Sequence, residues 1–204
     1  MYVIGITGGV GAGKSNVMQM LQGKELSLRA AGILADEVGH EVMEPGEKGF
    51  RQIVELFGEE VLDADGRIDR SALADIVFKD QRKRMVLNSI IHPLVKKKIT
   101  ERIGMIRCEE QYDFVFVEAA LLIEEHYEAV CDELWFVYAP EEVRRQRLKE
   151  SRGYTDVKID EIFASQLSEE EFRRHCSQVI DNSGKDEDTL TQLKEIVTGY
   201  GECR

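Results

Sequence analysis

Two kinds of apolar pattern alternate along the chain. Short continuous apolar runs occur at Tyr2-Val3-Ile4-Gly5-Ile6, Ala31–Ala35, Tyr112–Val117, Glu133–Tyr138 and Ser177–Asp181. Such runs predict strands buried on both faces, as in a parallel sheet. Between them the apolar residues recur at helical spacing. Val17, Met18, Met20 and Leu21 give one face, and Phe50, Ile53, Val54 and Phe57 another. Further faces are Leu73, Ile76, Val77, Met85, Leu87, Ile90 and Ile91, then Leu190, Leu193, Ile196 and Val197. Leu121–Glu125 reads as a helix after the third strand. Pro140 stands in the first turn of another, and a further helix runs from about Val157 to Gln166. Strands alternating with helices predict an α/β fold.

The stretch from Glu37 to about Ile103 has no convincing strand and reads as a helical insertion. Inside it, Glu44–Gly49 is a turn. Asp63-Ala64-Asp65-Gly66-Arg67 has the opening of a calcium loop but lacks its closing Glu, so it too is a turn. Asp69 or Ser71 caps the next helix. Asp36 follows the second strand. It is either an acid in the crevice beyond the carboxyl ends of the strands, where ligands of such sheets bind, or the N-cap of the segment from Glu37 to Met43.

Gly8-Gly9-Val10-Gly11-Ala12-Gly13-Lys14-Ser15 carries the chemistry. A Gly, four residues, then Gly-Lys-Ser, placed between a strand and a helix, is a phosphate-binding loop. The glycines let backbone N–H groups turn inward to form an anion nest, and the new helix adds its positive end. Lys14 reaches the β- and γ-phosphates, and the Ser15 hydroxyl is an oxygen ligand suited to Mg²⁺. A nucleoside triphosphate is therefore expected, with Gly9, Val10, Gly11, Ala12, Gly13, Lys14, Ser15 and Asn16 around it. Glu118, at the end of the third strand, is a candidate magnesium-supporting acid. Arg144, Arg145, Arg147 and Arg152 lie on a helix broken at Ser151-Arg152-Gly153-Tyr154-Thr155. Two polar helices about a Gly hinge form a candidate lid, and a lid excludes water from phosphoryl transfer.

The formal net charge of -12 argues against general nucleic-acid or membrane binding, and the basic runs at Arg82-Lys83-Arg84 and Lys96-Lys97-Lys98 read as solvated helix faces. The four cysteines stand far apart, at Cys108, Cys131, Cys176 and Cys203, with no CxxC pair. Neither a disulfide framework nor a metal knuckle is expected. With no signal peptide and no apolar run long enough to span a bilayer, a cytoplasmic location is expected.

Taken in order, the whole chain resembles the dephospho-CoA kinase family. The resemblance runs from Thr7–Ser15 through Ala35-Asp36, Val42-Met43-Glu44-Pro45-Gly46, Phe57-Gly58 and Asp65–Arg70. It continues through Leu73, Val77-Phe78, His92-Pro93, Leu121–Glu124, Arg147, Gln166 and Ile180-Asp181-Asn182. It implies a P-loop NTPase of three-layer α/β/α class with a five-stranded parallel sheet, all within one kinase domain. That domain would comprise a nucleotide-binding core (about 1–35, 104–139 and 167–204), a CoA-binding insertion (about 36–103) and a lid (about 140–166). It further implies transfer of the γ-phosphate of ATP to the ribose 3′-hydroxyl of dephospho-CoA with Mg²⁺, by a monomer or weak homo-oligomer. Asp36 matches the family's base, Arg147 its lid arginine, and Asn182 the approach to adenine; His92 falls in the acceptor region. Departures are Leu34 in place of a first aspartate, Asn16 in place of Thr, and Glu118 where Asp is common. The spacing from Arg147 to Arg152 is one residue longer. A P-loop kinase of another small metabolite is the alternative reading, and a non-catalytic ATP-binding module a third. A guanine-nucleotide switch lacks its base-reading element, since Asn182-Ser183-Gly184-Lys185-Asp186 does not supply it.

Overall fold

The computed structural model describes residues 1–201 and divides into two compact units, residues 1–33 with 105 onward, and residues 34–104. Cys203 lies outside the described residues; no disulfide joins Cys108, Cys131 and Cys176. No helix among the described residues is long and apolar enough to cross a membrane.

The first unit is built on five strands: β1 (Tyr2–Thr7), β2 (Ala30–Leu34), β3 (Phe114–Glu118), β4 (Glu133–Tyr138) and β5 (Gln178–Asp181). They form one parallel sheet in the order β2-β3-β1-β4-β5. The central strands are buried on both faces: Val3, Ile4, Ile6, Val115, Phe116, Val117, Trp135 and Val137 are fully buried. This is why their sequences run apolar without alternation. Helix α1 (Lys14–Gln22) packs on β1 and β3, giving the layered α/β fold that the pattern predicts. The register sets the site. Ile6 pairs with Glu118 and Thr7 with Phe136, while Tyr138 pairs with Asp181. The carboxyl ends of β1, β3, β4 and β5 therefore lie side by side, and each feeds a loop into one crevice.

Residues 34–104 hold α2 (Ala35–Glu41), α3 (Lys48–Phe57), α4 (Arg70–Lys79) and most of α5 (Gln81–Glu109). Ile53, Phe57, Val61, Ile68 and Leu73 form their core, with Leu87 and Ile91 packed against it. The Asp63 carboxylate accepts from the N–H groups of Asp65 and Arg67 at 2.9 and 3.0 Å, so it closes a turn. Asp69, not Ser71, caps α4, accepting from Ser71 and Ala72 N–H at 2.9 and 3.1 Å. Phe78 and Met85 are exposed, so not every apolar residue at helical spacing in this unit faces inward.

Three expectations need correction, and one further helix is present. β2 ends at Leu34, which itself occupies the N-cap position of α2, so Asp36 sits inside the first turn and is not the cap. Leu121–Glu125 is not a helix. Its bonds run Glu125 to Leu121, His126 to Ile123 and Tyr127 to Leu122, a mixed series that never builds an i to i−4 ladder. The chain then takes a left-handed residue at His126 and a 3₁₀ turn over Tyr127–Ala129, which buries Tyr127 and Leu122 together. Pro140 precedes α6 (Glu141–Arg152) as its N-cap residue and does not lie in its first turn. Finally, α7 (Asp156–Ala164) is followed by a short helix, α8 (Glu169–His175), ahead of the last helix, α9 (Asp186–Gly201); the apolar periodicity alone does not reveal α8.

The signal for α8 is a capping box. The Ser168 hydroxyl accepts from Glu171 N–H, and the Glu171 carboxylate accepts from Ser168 N–H. Glu169–Glu171 then meet the positive end of the helix and Arg173, Arg174 and His175 the negative end. Phe172 turns inward and stacks on Phe136 of β4 with ring centroids 4.8 Å apart. Ser168→Ala removes the cap and is expected to destabilise the chain by about 1 kcal/mol. Urea unfolding, read as a lower midpoint at unchanged slope, checks this.

Candidate phosphate-binding site

Residues Gly8–Gly13 join β1 to α1, and α1 begins at Lys14. Gly13 has a φ of 90°, a left-handed conformation, and a β-carbon there would overlap the Asn182 side-chain nitrogen. Only glycine fits. The Lys14 ammonium donates to Gly8 O at 2.8 Å and lies 3.5 Å from Gly9 O. Ala12 O receives Asn182 Nδ2 at 2.8 Å and Arg147 Nη1 at 3.3 Å. Val10 O receives Arg144 Nε at 3.0 Å. The loop carbonyls are thus held by cationic or amide donors, and Lys14 brings a positive charge onto the loop. The first N–H groups of α1 point out of its N-terminus with no helical acceptor, as at every helix start. The arrangement suits a polyphosphate.

At the neighbouring strand end the Ser15 hydroxyl donates to Glu118 Oε2 at 3.4 Å. These are oxygen donors, one neutral and one anionic, at the mouth of the loop. They fit Mg²⁺, which binds through one or two carboxylates plus substrate phosphates rather than an all-protein cage. Among the described residues no three His, Cys, Asp or Glu side chains converge on a closed metal site.

The helix after β4 brings two arginines to the loop. Arg147 donates to Ala12 O and, through Nη2, to Asn182 O at 2.8 Å. Glu150, three residues along the same helix, accepts from Gln146 Nε2 at 2.9 Å instead of from Arg147. Arg144 reaches Val10 O and places its guanidinium 4.3 Å from the Phe163 ring centre. Burial pulls the Arg144 pKa below the usual arginine value. Arg145 points elsewhere, with Glu141, Asp156 and Asp160 within 3.1 Å, and ties α6 to α7. A signal for this division is available: Arg144 and Arg147 are three apart and share a helix face, which Arg145 does not. The sequence reading gave Arg144 no role of its own.

Asn182 is 2% exposed. Its amide nitrogen is on Ala12 O, and its side-chain oxygen accepts from Thr189 Oγ1 at 3.1 Å. Asn16 donates to Asp186 at 2.9 Å, fastening α1 to the start of α9. Asp36 and His92 belong to the other unit, Asp36 exposed in the first turn of α2 and His92 half-buried on α5. That unit also has a cavity of about 310 Å³ lined by His40, Met43, Glu44, Asp63, Arg67 and Arg70.

A family model described as dephospho-CoA kinase matches residues 2–188. The chain belongs to the dephospho-CoA kinase family. The dephospho-CoA kinase of Carboxydothermus hydrogenoformans is 36% identical over 195 residues, 96% of this chain and 92% of that protein. The enzyme of the same name from Bacillus licheniformis is 39% identical over 197 residues, 96% of this chain and 94% of its own length. A crystal structure of a Thermus thermophilus protein superposes with a TM-score of 0.78 at 30% identity, covering 97% of each chain. The family match spans both units, so the helical unit is part of what the relatives share.

Asn182→Ala removes two buried hydrogen bonds, leaving Ala12 O with Arg147 at 3.3 Å and Thr189 Oγ1 with Asp181 O at 3.4 Å. It is expected to cost roughly 1–2 kcal/mol of stability without any nucleotide present. Thermal unfolding of the nucleotide-free variant checks this; an Asn that served only as a ligand contact would leave the melting temperature unchanged.

Proposed function

We propose that this chain transfers the γ-phosphate of ATP to the ribose 3′-hydroxyl of dephospho-CoA, releasing ADP, as the last step of coenzyme A synthesis. The observation that carries the reading is the loop from Gly8 to Ser15, with Lys14 and Arg147 on its carbonyls, in a chain matched almost end to end by dephospho-CoA kinases. The loop amides and the α1 N-terminus bind the β- and γ-phosphates. Lys14 and Arg147 neutralise charge spread over the equatorial oxygens of the transferring group. Asp36 takes the proton of the attacking 3′-hydroxyl as its oxygen bonds to phosphorus and the bond to ADP breaks. His92, with the unit of residues 34–104, holds the acceptor. Asn182 fixes the loop beside the adenine side of the site. Ser15 and Glu118 would hold Mg²⁺, which would supply positive charge to offset the negative charge of the phosphate oxygens.

The test is ATP with a panel of acceptors, including dephospho-CoA and simple nucleosides, and mass spectrometry of the product. Phosphorylated dephospho-CoA alone is expected; equal turnover of nucleosides contradicts the reading. Lys14→Ala is expected to nearly abolish turnover in a folded protein, because it removes charge that meets the transition state. Near-normal kcat at saturating ATP speaks against that role. Asp36→Asn is expected to keep ATP affinity and lose about 10²–10⁴-fold in kcat, the usual contribution of a positioned base. Asp36 lies in an exposed first turn and caps nothing, so the variant is expected to melt near the wild-type temperature, and full activity would remove it from the mechanism.

A further inference from the structure

Both polar groups of the Val10 backbone are held by lid side chains. Val10 N–H donates to Gln166 Oε1 at 3.2 Å, and Val10 O accepts from Arg144 Nε at 3.0 Å. The same Gln166 oxygen accepts from Arg144 Nη2 at 2.7 Å. One carboxamide oxygen therefore joins the phosphate loop to α6 from a point just past the end of α7. The approach is close: a β-carbon on Gly9 would overlap the Arg144 guanidinium. Around this bridge lies a cavity of about 220 Å³, lined by Gly9, Arg144, Phe163, Gln166 and Phe172. Side chains do not fill the space beside the bridge, so its hydrogen bonds act together with the Arg144 contacts to Phe163 and Gly9 in holding the helix against this part of the loop.

We propose that Gln166 is a positioning residue for phosphoryl transfer, latching the lid to the phosphate loop through Val10 and Arg144. It touches no reacting atom. Its oxygen sets the Val10 amide and locks the Arg144 guanidinium, and Arg144 lies one helical turn from Arg147. Loss of the latch frees the Val10 amide and one side of the Arg144 guanidinium, leaving Arg144 Nε on Val10 O and Arg147 on Ala12 O as the direct ties between loop and helix. A misplacement of about 1 Å at a phosphoryl-transfer site costs up to about 10²-fold in rate. The inference rests on the kinase reading above, and its test includes a readout that needs no acceptor.

The experiment compares the full chain with Gln166→Ala and Gln166→Glu. The glutamate keeps an oxygen that accepts from both donors, while alanine accepts from neither. Hydrogen exchange of the Val10 amide, followed by NMR without substrates, is expected to speed up roughly 2–10-fold in Gln166→Ala and to stay near wild type in Gln166→Glu. In steady-state kinetics Gln166→Ala is expected to lose roughly 10–100-fold in kcat. Gln166→Glu keeps most of kcat, with a higher KM for ATP because a negative charge now stands near the phosphates. Unchanged Val10 exchange in the alanine variant overturns the latch. Altered exchange with wild-type kcat, or an equal loss of kcat in both variants, overturns the positioning role. Failure of the wild-type chain to phosphorylate dephospho-CoA would sink the kinase reading while leaving the exchange result to decide the latch.

Discussion

The structure of the nucleotide-binding unit depends on how the carbonyls of the phosphate loop are satisfied. A planar peptide carries its C=O and the next N–H on opposite sides. Whatever holds a carbonyl outward turns the following amide the other way. Gly8 O is held by Lys14, Val10 O by Arg144, and Ala12 O by Arg147 and Asn182. These donors come from three places in the chain: the start of α1, the helix after β4 and the loop after β5. The parallel sheet brings them together because its strands end on the same side, and the register places Glu118 and the start of α6 on either flank of β1. The fold is thus a means of presenting one set of amides to an anion.

Much of this was legible in the sequence, for physical reasons. A strand buried on both faces has nowhere to put polar side chains, so β1, β3 and β4 stand out as apolar runs. The loop motif fixes Lys14 and Ser15 relative to β1 and α1, because glycine is required where φ is positive and Asn182 crowds the backbone. Where the signal was weak, the reading failed. Leu121, Leu122 and Ile123 fit a helix or a turn equally well until Tyr127 must be buried. With seven residues, α8 is too short for its periodicity to register, and only its capping box announces it. Within the run of arginines, charge alone cannot separate Arg144 and Arg147 from Arg145; the phase of the helix does.

The helical unit shows a different economy. Its core is small, and an ion cluster supplements it. Arg102 and Lys98 on α5 hold Glu41 of α2, and Lys98 also reaches Glu47 at 2.8 Å, at the N-cap position of α3. Arg102 first, then Lys98, draws the Glu41 carboxyl below its usual value. A carboxyl whose folded pKa is depressed contributes stability above its unfolded pKa and loses it as pH falls through the folded one. This cluster therefore keeps α2 and α3 fastened to α5 throughout the neutral range and weakens only in acid. Asp36, at the other end of α2, inherits its placement from that anchoring.

The central claim is that donors from α6 and the β5 loop orient the phosphate loop for an anion. A crystal structure of the chain with bound ADP tests it most directly. The account predicts the β-phosphate within hydrogen-bond distance of the loop amides and of Lys14 Nζ, with Ala12 O still on Asn182 and Arg147. A β-phosphate lodged away from this loop, or bound there with Ala12 O released from both donors, would contradict it.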